Sequence, residues 1–295
     1  MISDFRGKTA FITGGASGIG LSMARAFGRA GMNVVLADID EKAAKAAAEQ
    51  LASEQIKAAP VFCDVTERSS VQSAALQAVE RFGKVHVVCN NAGVAVGGQI
   101  GTVKPSDWDW IIDANLKGVV YGTETFVPLI KSHGEGGHIV NTASMAGMIS
   151  PPGMEPYSAT KFAVVAMSEG WFGQLAPMNI GVSVLCPGFV KTHIHESGRN
   201  RQQKYGGEAD VDPGLSLQRD EAAQLVLSGI DPDVVGARVV EAVKAGDLYI
   251  FTHPMMRAFV EHRFEMIKAG FDAAENSPAI KAVKEWASPV PRSQQ

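Results

Sequence analysis

The feature of this sequence that most constrains its fold is a regular alternation of short apolar runs and longer stretches with helical periodicity. Six such runs follow one another: TAFIT (9–13), NVVLAD (33–38), AAPVFCD (58–64), VHVVCN (85–90), GHIVNTA (137–143) and GVSVLCP (181–187). Nearly continuous apolar strands are typical of parallel sheets, because helices cover both faces of such sheets. The pattern predicts an α/β fold with a single doubly wound parallel sheet.

The stretches between these runs predict helices. They cover residues 17–30, 41–55, 69–82 and 108–132. Gly31, Gly83 and Gly134 follow three of these stretches. Glycine commonly ends a helix, so we expect the helices to stop there.

The last third of the chain departs from this rhythm. Residues 191–229 are polar and rich in glycine, and we expect them to form a mobile substrate lid. A helix from Pro232, a last strand in 248–253 and an amphipathic helix to about residue 269 follow. The sequence thus predicts one domain over 1–272, with a C-terminal lid and a helical extension, and a tail over 273–295.

Charge and composition argue against several classes of partner. The chain of 295 residues has a formal net charge of −4 and a pI near 6.0, which gives no bulk attraction to nucleic acid or to anionic lipid. No apolar stretch approaches the roughly 20 residues that cross a bilayer, and the first residues do not resemble a signal peptide. We therefore expect a cytoplasmic protein with no nucleic-acid or membrane partner.

The cysteines and histidines suggest neither a disulfide framework nor a metal site. Cys63, Cys89 and Cys186 are odd in number and each lies in an apolar run, so we expect buried thiols. His193 and His195 should point to opposite sides of an extended segment, and no third ligand is spaced to join them. The prediction is that the protein has no metal.

A glycine-rich turn, Thr13-Gly14-Gly15-Ala16-Ser17-Gly18-Ile19-Gly20, directly follows the first run and opens a helix. Backbone N–H groups and the positive end of a helix dipole converge at such a turn, and glycines let a pyrophosphate approach the backbone. We assign Gly14, Gly18 and Gly20 to this role. The alternative is a glycine-rich surface turn, because a glycine pattern alone is a weak signal.

Asp38 ends the second run at the offset where a carboxylate accepts hydrogen bonds from both hydroxyls of an adenosine ribose. A 2′-phosphate would be repelled there, and neither Gly15 nor Ala16 supplies a compensating charge, so the residue favours NAD over NADP. The alternative is a helix cap for the following stretch. Asp64, at the end of the third run, is a candidate acceptor for the adenine amine.

Polar residues that suit proton transfer follow the later runs. Tyr157 and Lys161 lie one helical turn apart, so we expect the ammonium group to lower the pKa of the phenol and make it usable as a base. Ser144 would hold the substrate oxygen beside Tyr157. The alternatives are that Ser144 caps the end of a strand and that Asn115 is a buried amide at a helix kink.

Taken in order, these motifs resemble the short-chain dehydrogenase/reductase family. The matching residues are TGGASGIG (13–20), NNAG (90–93), Asn115, Ser144, YSATK (157–161) and PGFVKT (187–192), and they cover roughly residues 5–195. The resemblance implies a Rossmann fold and the catalytic residues Asn115, Ser144, Tyr157 and Lys161. It also implies that Asn115 holds a water that links Lys161 to solvent.

The resemblance and the strand-end positions together define a predicted cofactor site. Its residues are Gly14, Ser17, Gly18, Ile19, Gly20, Asp38, Ile39, Asp64, Val65, Asn91, Ala92, Gly93, Tyr157, Lys161, Pro187, Gly188, Val190 and Thr192. The predicted cofactor is NAD.

The predicted substrate is a secondary alcohol or ketone, bulky or aromatic. Met145, Met148, Met154 and Phe189 would make the surroundings of the nicotinamide apolar, although they are equally compatible with ordinary core packing. The phrases GGHIVNTAS, NIGVSVLCPGFVKTHIHESGRNR and DLYIFTH are similar to bacterial dehydrogenases that oxidise the Cα alcohol of lignin-derived β-aryl ethers. Steroid and sugar alcohols remain open as alternatives.

The sequence is also compatible with two other functions, and it predicts an oligomer. The chain could act as an NADH-linked ketone or enoyl reductase of lipid or polyketide metabolism, or as a catalytically silent NAD-binding sensor or scaffold. Because Ala163, Val164, Ala166 and Met167 extend the apolar character of the helix beyond Lys161, and because the family forms dimers or tetramers, we expect a homodimer or homotetramer.

Overall fold

The predicted runs form strands of one seven-stranded parallel sheet in a computed structural model that describes Ile2, residues 4–208 and residues 223–283. The strands are β1 (Thr9–Thr13), β2 (Asn33–Asp38), β3 (Ala58–Phe62), β4 (Val87–Asn90), β5 (Gly137–Thr142), β6 (Ile180–Cys186) and β7 (Tyr249–Phe251). Their order across the sheet is β3-β2-β1-β4-β5-β6-β7. The strand order reverses between β1 and β4, and ligands of open α/β sheets bind at such a point. The predicted Rossmann-type fold is confirmed.

The helices also follow the predicted pattern. Their bounds are α1 (Gly18–Arg29), α2 (Glu41–Ser53), α3 (Arg68–Phe82), α4 (Pro105–Ile112), α5 (Gly118–His133), α6 (Glu155–Leu175), α7 (Pro232–Ala245), α8 (Arg257–Asn276) and α9 (Pro278–Lys281). Gly31, Gly83 and Gly134 have φ angles of +95°, +77° and +70° just after α1, α3 and α5. They end these helices as predicted, because glycine adopts positive φ without strain.

Both faces of the sheet are buried, which explains the continuous apolar runs. Ala10 and Ile12 of β1 pack into one core with side chains of α1, α2 and α7, whereas Phe11 packs into a second core with α3 and α5. The ring of Phe11 lies 4.5 Å from that of Phe126 on α5. Successive side chains of a strand point to opposite faces, so each strand contributes to both cores.

The long helix predicted over 108–132 begins earlier and is not a uniform α-helix. It starts at Pro105, and a π-helical turn, Asp113–Lys117, separates α4 from α5. A π-turn adds one residue to a helical turn and is frequent at functional sites. Asn115 lies inside this turn.

Residues 191–208, the first described part of the predicted lid, contain two short 3₁₀ segments, Ile194–Asn200 and Gln203–Tyr205. Val190 forms a parallel bridge with Ile230, which joins the two ends of the lid. Residues 209–222 lie outside the described residues, and the predicted mobility of the lid stays a prediction.

The chain divides into two units, Met1–His253 and Pro254 to the C-terminus. The second unit contains α8, which runs past the predicted end near residue 269 to Asn276. Helix-forming residues follow Gly270, and the helix stops only before Ser277-Pro278, because proline disfavours helical geometry in the residue before it. The predicted domain boundary after residue 272 lies inside α8. The predicted tail beyond residue 283 lies outside the described residues.

Cysteine and histidine positions give one confirmation and one correction. Cys63, Cys89 and Cys186 are free and buried, as predicted. The rings of His193 and His195 do not point apart but are stacked with centres 6.4 Å apart, because a 3₁₀ segment rather than an extended one begins at Ile194.

In the described part of the chain, no helix is long and apolar enough to cross a membrane.

One group of potential metal ligands occurs among the described residues, at His86, His133 and Glu135. No sequence motif marks this group, because its members come from two separate segments. His86 Nε2 already bonds the Glu135 carboxylate at 2.9 Å, and His133 Nε2 bonds the carbonyl of Val85 at 3.0 Å. Lys84 also pairs with Glu135, so this group forms a hydrogen-bonded ion-pair network.

Candidate active site

The glycine turn after β1 is a tightly packed backbone structure, not a loose surface loop. Gly14 and Gly18 have φ angles of +63° and +52°, which L-residues with a side chain rarely adopt. A Cβ atom at Gly20 would lie 2.0 Å from the carbonyl oxygen of Gly14. Only glycine therefore lets the start of α1 pack this closely against the turn.

A cleft of about 350 Å³ opens at the N-terminus of α1. It is lined by Ala16, Ser17, Gly18, Leu21, Arg25, Lys191, Thr192, His193, Asp231, Pro232 and Asp233. The Ser17 side chain caps no helical N–H and has no partner among the described residues. Asp231 and Asp233 offset the charges of Arg25 and Lys191 in this lining, and Arg25 is already paired with Asp233 and Glu54. The features that suit a phosphate group are therefore the Ser17 hydroxyl and the N–H groups at the start of α1.

The fold brings Thr192, one of the predicted cofactor residues, to the glycine turn. A Cβ atom at Gly18 would lie 3.0 Å from Cγ2 of Thr192. Lys191 and His193, on either side of it, line the same cleft and were not named as candidates, although their position next to the predicted cofactor-binding residue Thr192 was a usable signal. Ile19 is half-buried in the first turn of α1.

Asp38 turns its carboxylate toward the glycine turn. It accepts hydrogen bonds from the backbone N–H of Ala16 at 3.0 Å and of Asp40 at 3.1 Å. Burial raises its pKa, and bonds from Asp40, Ala16 and Ile39 partly oppose this. The cap of α2 is Asp40, which accepts from the N–H of Ala43. The alternative role of Asp38 as the helix cap is therefore wrong.

Asp64 and Val65 follow β3 at the same edge of the sheet. The Asp64 carboxylate accepts bonds from the N–H and hydroxyl of Thr66 at 2.9 and 2.8 Å, and from the amide of Gln202 at 3.0 Å to each oxygen. The N–H of Val65 has no partner in the parts of the chain that the structure describes. Adenine offers an amine donor beside a ring-nitrogen acceptor, and this pair of groups complements it.

The segment after β4 is fixed to the glycine turn. The N–H groups of Asn91 and Ala92 both donate to the hydroxyl of Thr13, at 2.9 and 3.0 Å, and the Asn91 amide donates to the carbonyl of Thr13. The two strand ends that flank the reversal of strand order therefore form one rigid floor. Gly93 follows, and a Cβ atom there would lie 3.5 Å from Nζ of Lys161.

Ser144, Tyr157 and Lys161 come together beside this floor. A hydrogen bond from Ser144 to the Tyr157 hydroxyl lowers the phenol pKa, and the Lys161 Nζ lies 5.5 Å from the centre of the Tyr157 ring. Nζ also donates to the carbonyl of Thr142 at 2.9 Å. Ser144 also caps the short turn Met145–Gly147 by accepting from the N–H of Ala146, whereas its predicted role toward the substrate oxygen stays a prediction.

Burial opposes the predicted activation of the phenol. The pKa of Tyr157 is raised to about 12, because burial penalises the phenolate more than the bond from Ser144 favours it. Burial likewise lowers the pKa of Lys161 to about 8. The prediction that the phenol pKa lies below its ordinary value does not hold for the chain by itself.

Asn115 is a structural tie between the π-turn and the segment after β4. Its Oδ1 accepts from the N–H of Val94 at 2.8 Å, while its Nδ2 donates to the carbonyl of Val94 at 2.9 Å and to the hydroxyl of Thr160 at 3.3 Å. The side chain is fully buried. It is thus the buried amide at a helix irregularity that the sequence analysis kept as an alternative, and it lies next to Gly93 and Lys161.

The turn after β6 carries Pro187 and Gly188 and is held by a residue that the sequence analysis did not name. His253, just after β7, accepts from the N–H of Gly188 at 3.1 Å and bonds the carbonyl of Phe189 at 3.1 Å. Val190 is buried, which fixes the start of the lid. Gln202, on Asp64, was also missed, because no local motif connects two residues so far apart in sequence.

Comparisons with known proteins identify the family to which the chain belongs. The family model described as short chain dehydrogenase matches residues 8–203. A C alpha-dehydrogenase from Sphingobium sp. is 34% identical over 97% of this chain and 95% of its own length. A CLA biosynthesis dehydrogenase/reductase from Lactiplantibacillus plantarum is 34% identical over 90% of this chain and 95% of its own.

A solved structure extends the comparison. The crystal structure of a short chain dehydrogenase/reductase from Burkholderia phymatum in complex with NAD superposes with a TM-score of 0.88. It shares 37% sequence identity and covers 91% of this chain and 97% of its own. The predicted family resemblance and the likeness to Cα-dehydrogenases are confirmed.

Proposed function

The chain belongs to the short-chain dehydrogenase family of oxidoreductases, and on that basis we propose that it is an NAD-dependent dehydrogenase/reductase that interconverts a secondary alcohol and a ketone. The observation that carries this proposal is the buried group of Ser144, Tyr157 and Lys161 beside the glycine turn. A protein that only bound a dinucleotide would not need a proton donor there. This argues against the silent sensor or scaffold.

The residues around the strand-order reversal fit NAD. Ser17, Gly18 and Thr192 would hold the pyrophosphate, Asp38 the adenosine ribose, and Asp64 with the Val65 N–H the adenine. When bound, the nicotinamide ring accepts a hydride in alcohol oxidation or delivers one in ketone reduction. The Asp38 carboxylate, which is only 9% exposed, would repel a 2′-phosphate, and this favours NAD over NADP.

The proton chemistry belongs to Tyr157. With a pKa near 12 in the chain alone, its hydroxyl is protonated at neutral pH and lies next to the Ser144 hydroxyl. It can therefore donate a proton to a ketone oxygen, and Lys161, with a pKa near 8, is close enough to favour the phenolate that this leaves. Oxidation uses the same groups in the reverse sense, with the phenolate taking the alcohol proton.

An apolar substrate is supported by the residues around this group. Met148 and Met154 are half-buried, and Phe189 is 45% exposed, so these three side chains are available to a ligand. Met145 is only 4% exposed and belongs to the core beneath the site. Together with the likeness to a C alpha-dehydrogenase, this favours a bulky or aromatic secondary alcohol.

A homo-oligomer formed through α6 is part of the same proposal. Val164 packs into the protein, but Ala166 and Phe172 on that helix are exposed. Burial of this apolar surface against a second copy would stabilise a dimer or tetramer. Light scattering on the purified protein distinguishes these assemblies from a monomer.

The test is initial-rate NADH formation at 340 nm with NAD or NADP and a panel of benzylic, aliphatic, steroid and sugar alcohols. We expect turnover with NAD and the benzylic alcohols. In Tyr157→Phe, turnover should fall by about 10²-fold or more, while NADH binding stays unchanged, because only the proton donor is lost. Turnover retained by this variant would refute the mechanism, and a preference for NADP would refute the role of Asp38.

A further inference from the structure

The first part of the lid crosses the whole cofactor edge of the sheet. We call residues 194–208 the strap. The hydroxyl of Ser197 accepts from the N–H of Ala95, after β4. Farther along, the hydroxyl of Tyr205 donates to the carboxylate of Asp113, the first residue of the π-turn, at 2.6 Å. Between these two contacts Gln202 reaches Asp64, so the strap joins the segment next to Thr192 to the proposed adenine side of the site.

Arg201 anchors the middle of the strap independently of the cofactor residues. Its guanidinium pairs with Asp107, donates to the hydroxyl of Ser106 at 3.1 Å and lies 5.1 Å from the centre of the Trp110 ring. It also bonds the carbonyl of Tyr205. With this anchor in place, a change at the neighbouring Gln202 need not release the strap.

Gln202 is held in one orientation. The indole N–H of Trp110 donates to its Oε1 at 3.1 Å, and its Nε2 donates to both oxygens of Asp64 at 3.0 Å. An indole N–H can only donate and a carboxylate can only accept, so the amide cannot be flipped. The strap thereby fixes the plane of the Asp64 carboxylate.

The Asp64 carboxylate keeps room for one more donor. Its Oδ1 accepts from the N–H and hydroxyl of Thr66 and from Gln202, whereas its Oδ2 accepts from Gln202 alone. A carboxylate offers about four acceptor positions, so the open position lies on Oδ2. The unpartnered N–H of Val65 lies on the neighbouring residue. These two groups form a donor–acceptor pair suited to the edge of an adenine.

We propose that Gln202 is a cofactor-positioning residue that acts through Asp64 and ties the substrate side of the site to the adenine side. This inference rests on the proposed function, because it takes the adenine of NAD as the ligand of Asp64 and Val65. Gln202 orients the carboxylate so that Oδ2 faces the adenine amine. It does not touch the reacting atoms.

The experiment measures the dissociation constants of NADH and of reduced nicotinamide hypoxanthine dinucleotide by fluorescence titration. Hypoxanthine carries a carbonyl oxygen where adenine carries the amine, so that position offers no donor to Oδ2 of Asp64. In Gln202→Ala we expect the Kd of NADH to rise about five- to tenfold. This increase corresponds to part of the binding free energy that a hydrogen bond to a charged group contributes. The Kd of the hypoxanthine analogue should stay within about twofold.

Two further variants make the outcome specific. Gln203→Ala removes a glutamine of the same size from the exposed neighbouring position and should change neither constant. Gln202→Glu keeps an acceptor for Trp110 but places a second carboxylate against Asp64, and it should weaken NADH binding more than Gln202→Ala does.

The outcomes separate this inference from the proposed function. Equal weakening of both dinucleotides in Gln202→Ala, or no weakening of either, would overturn the role of Gln202 and leave the proposed function intact. Failure of the unmodified protein to bind NADH at all would overturn both.

Discussion

At the scale of single residues, burial decides the protonation of the groups that carry the proposed chemistry. Lys161 is only 3% exposed, and among the described residues its ammonium group donates one hydrogen bond, to the carbonyl of Thr142. Its pKa falls from the ordinary 10.5 to about 8, so the folded chain holds this proton less tightly than the unfolded chain does. The buried charge of Lys161, which the proposed function needs, therefore lowers the free energy of unfolding.

We expect Lys161→Met to abolish turnover and to raise the free energy of unfolding at pH 7 by about 1–2 kcal/mol. The shift in pKa corresponds to roughly 3 kcal/mol, from which the loss of the bond to Thr142 is subtracted. Below pH 8 the lysine is charged in both states and the full gain applies, while above about 10.5 it is neutral in both and the gain vanishes. Urea unfolding at pH 7 and pH 11 checks this, and a loss of stability at pH 7 would contradict it.

Asp38 and Asp40 offer a matched pair of carboxylates with different roles. Asp38→Ala should lower kcat/KM for NAD about tenfold or more and reduce the preference for NAD over NADP, because it removes both an acceptor for the ribose and a repulsive charge. Asp40→Ala removes the α2 cap and should cost about 1 kcal/mol of stability without changing that preference. An unchanged preference in Asp38→Ala would contradict the ribose assignment.

Residue identities at this scale were largely predictable, but their energetics were not. The glycine turn, Asp38 and the Ser144, Tyr157 and Lys161 group follow from short motifs at strand ends. The direction in which the Tyr157 pKa shifts does not follow from these motifs. It depends on how many atoms from distant segments surround the phenol. Spacing along a helix shows only the neighbouring ammonium group and not this burial.

At the scale of elements, the π-turn between α4 and α5 determines how the site is assembled. It places Asn115 so that its amide pairs with both backbone groups of Val94, as a neighbouring strand would. A π-turn differs from an α-helical turn by a single added residue, and no compositional signal marks it. The sequence therefore predicts a uniform helix there. The strap contacts were likewise invisible, since they join residues about 90–140 positions apart.

We expect Asn115→Ala to lower the free energy of unfolding by about 2–4 kcal/mol, because the N–H and the carbonyl of Val94 lose their buried partners. Asn276→Ala is the control, since among the described residues its amide bonds only the Asp272 carbonyl, on an exposed helix surface, and its loss should cost less than about 0.5 kcal/mol. Thermal unfolding of the three proteins is the measurement. Equal midpoints for Asn115→Ala and the unmodified protein would disprove the structural tie.

At the scale of the whole molecule, the reversal of strand order between β1 and β4 brings the predicted site residues to one edge of the sheet. This much follows from the alternation of strands and helices, because all parallel strands end on the same side. The position of the second unit's boundary at His253, by contrast, depends on which elements pack together, and the sequence pattern carries no signal for it.

The pH dependence of the molecule follows from the same buried groups. In ketone reduction, kcat/KM should fall as the pH rises through about 8, because Lys161 then loses the positive charge that favours the Tyr157 phenolate. Tyr157 itself stays protonated across this range. Initial rates from pH 6 to 10 at constant ionic strength test this, and a flat profile would show that the charge of Lys161 does not contribute.

The three buried cysteines can report local unfolding of the sheet, because their thiols react only when they become exposed. Burial raises the pKa of Cys63 and Cys186 to about 12 and also raises that of Cys89, so the reactive thiolate is scarce in the folded chain. A thiol-reactive dye should therefore label each site only when its surroundings open. Cys63 follows the edge strand β3, Cys89 lies in the central strand β4, and Cys186 ends β6. Their relative labelling rates, read by peptide mass, would record the order in which the sheet comes apart.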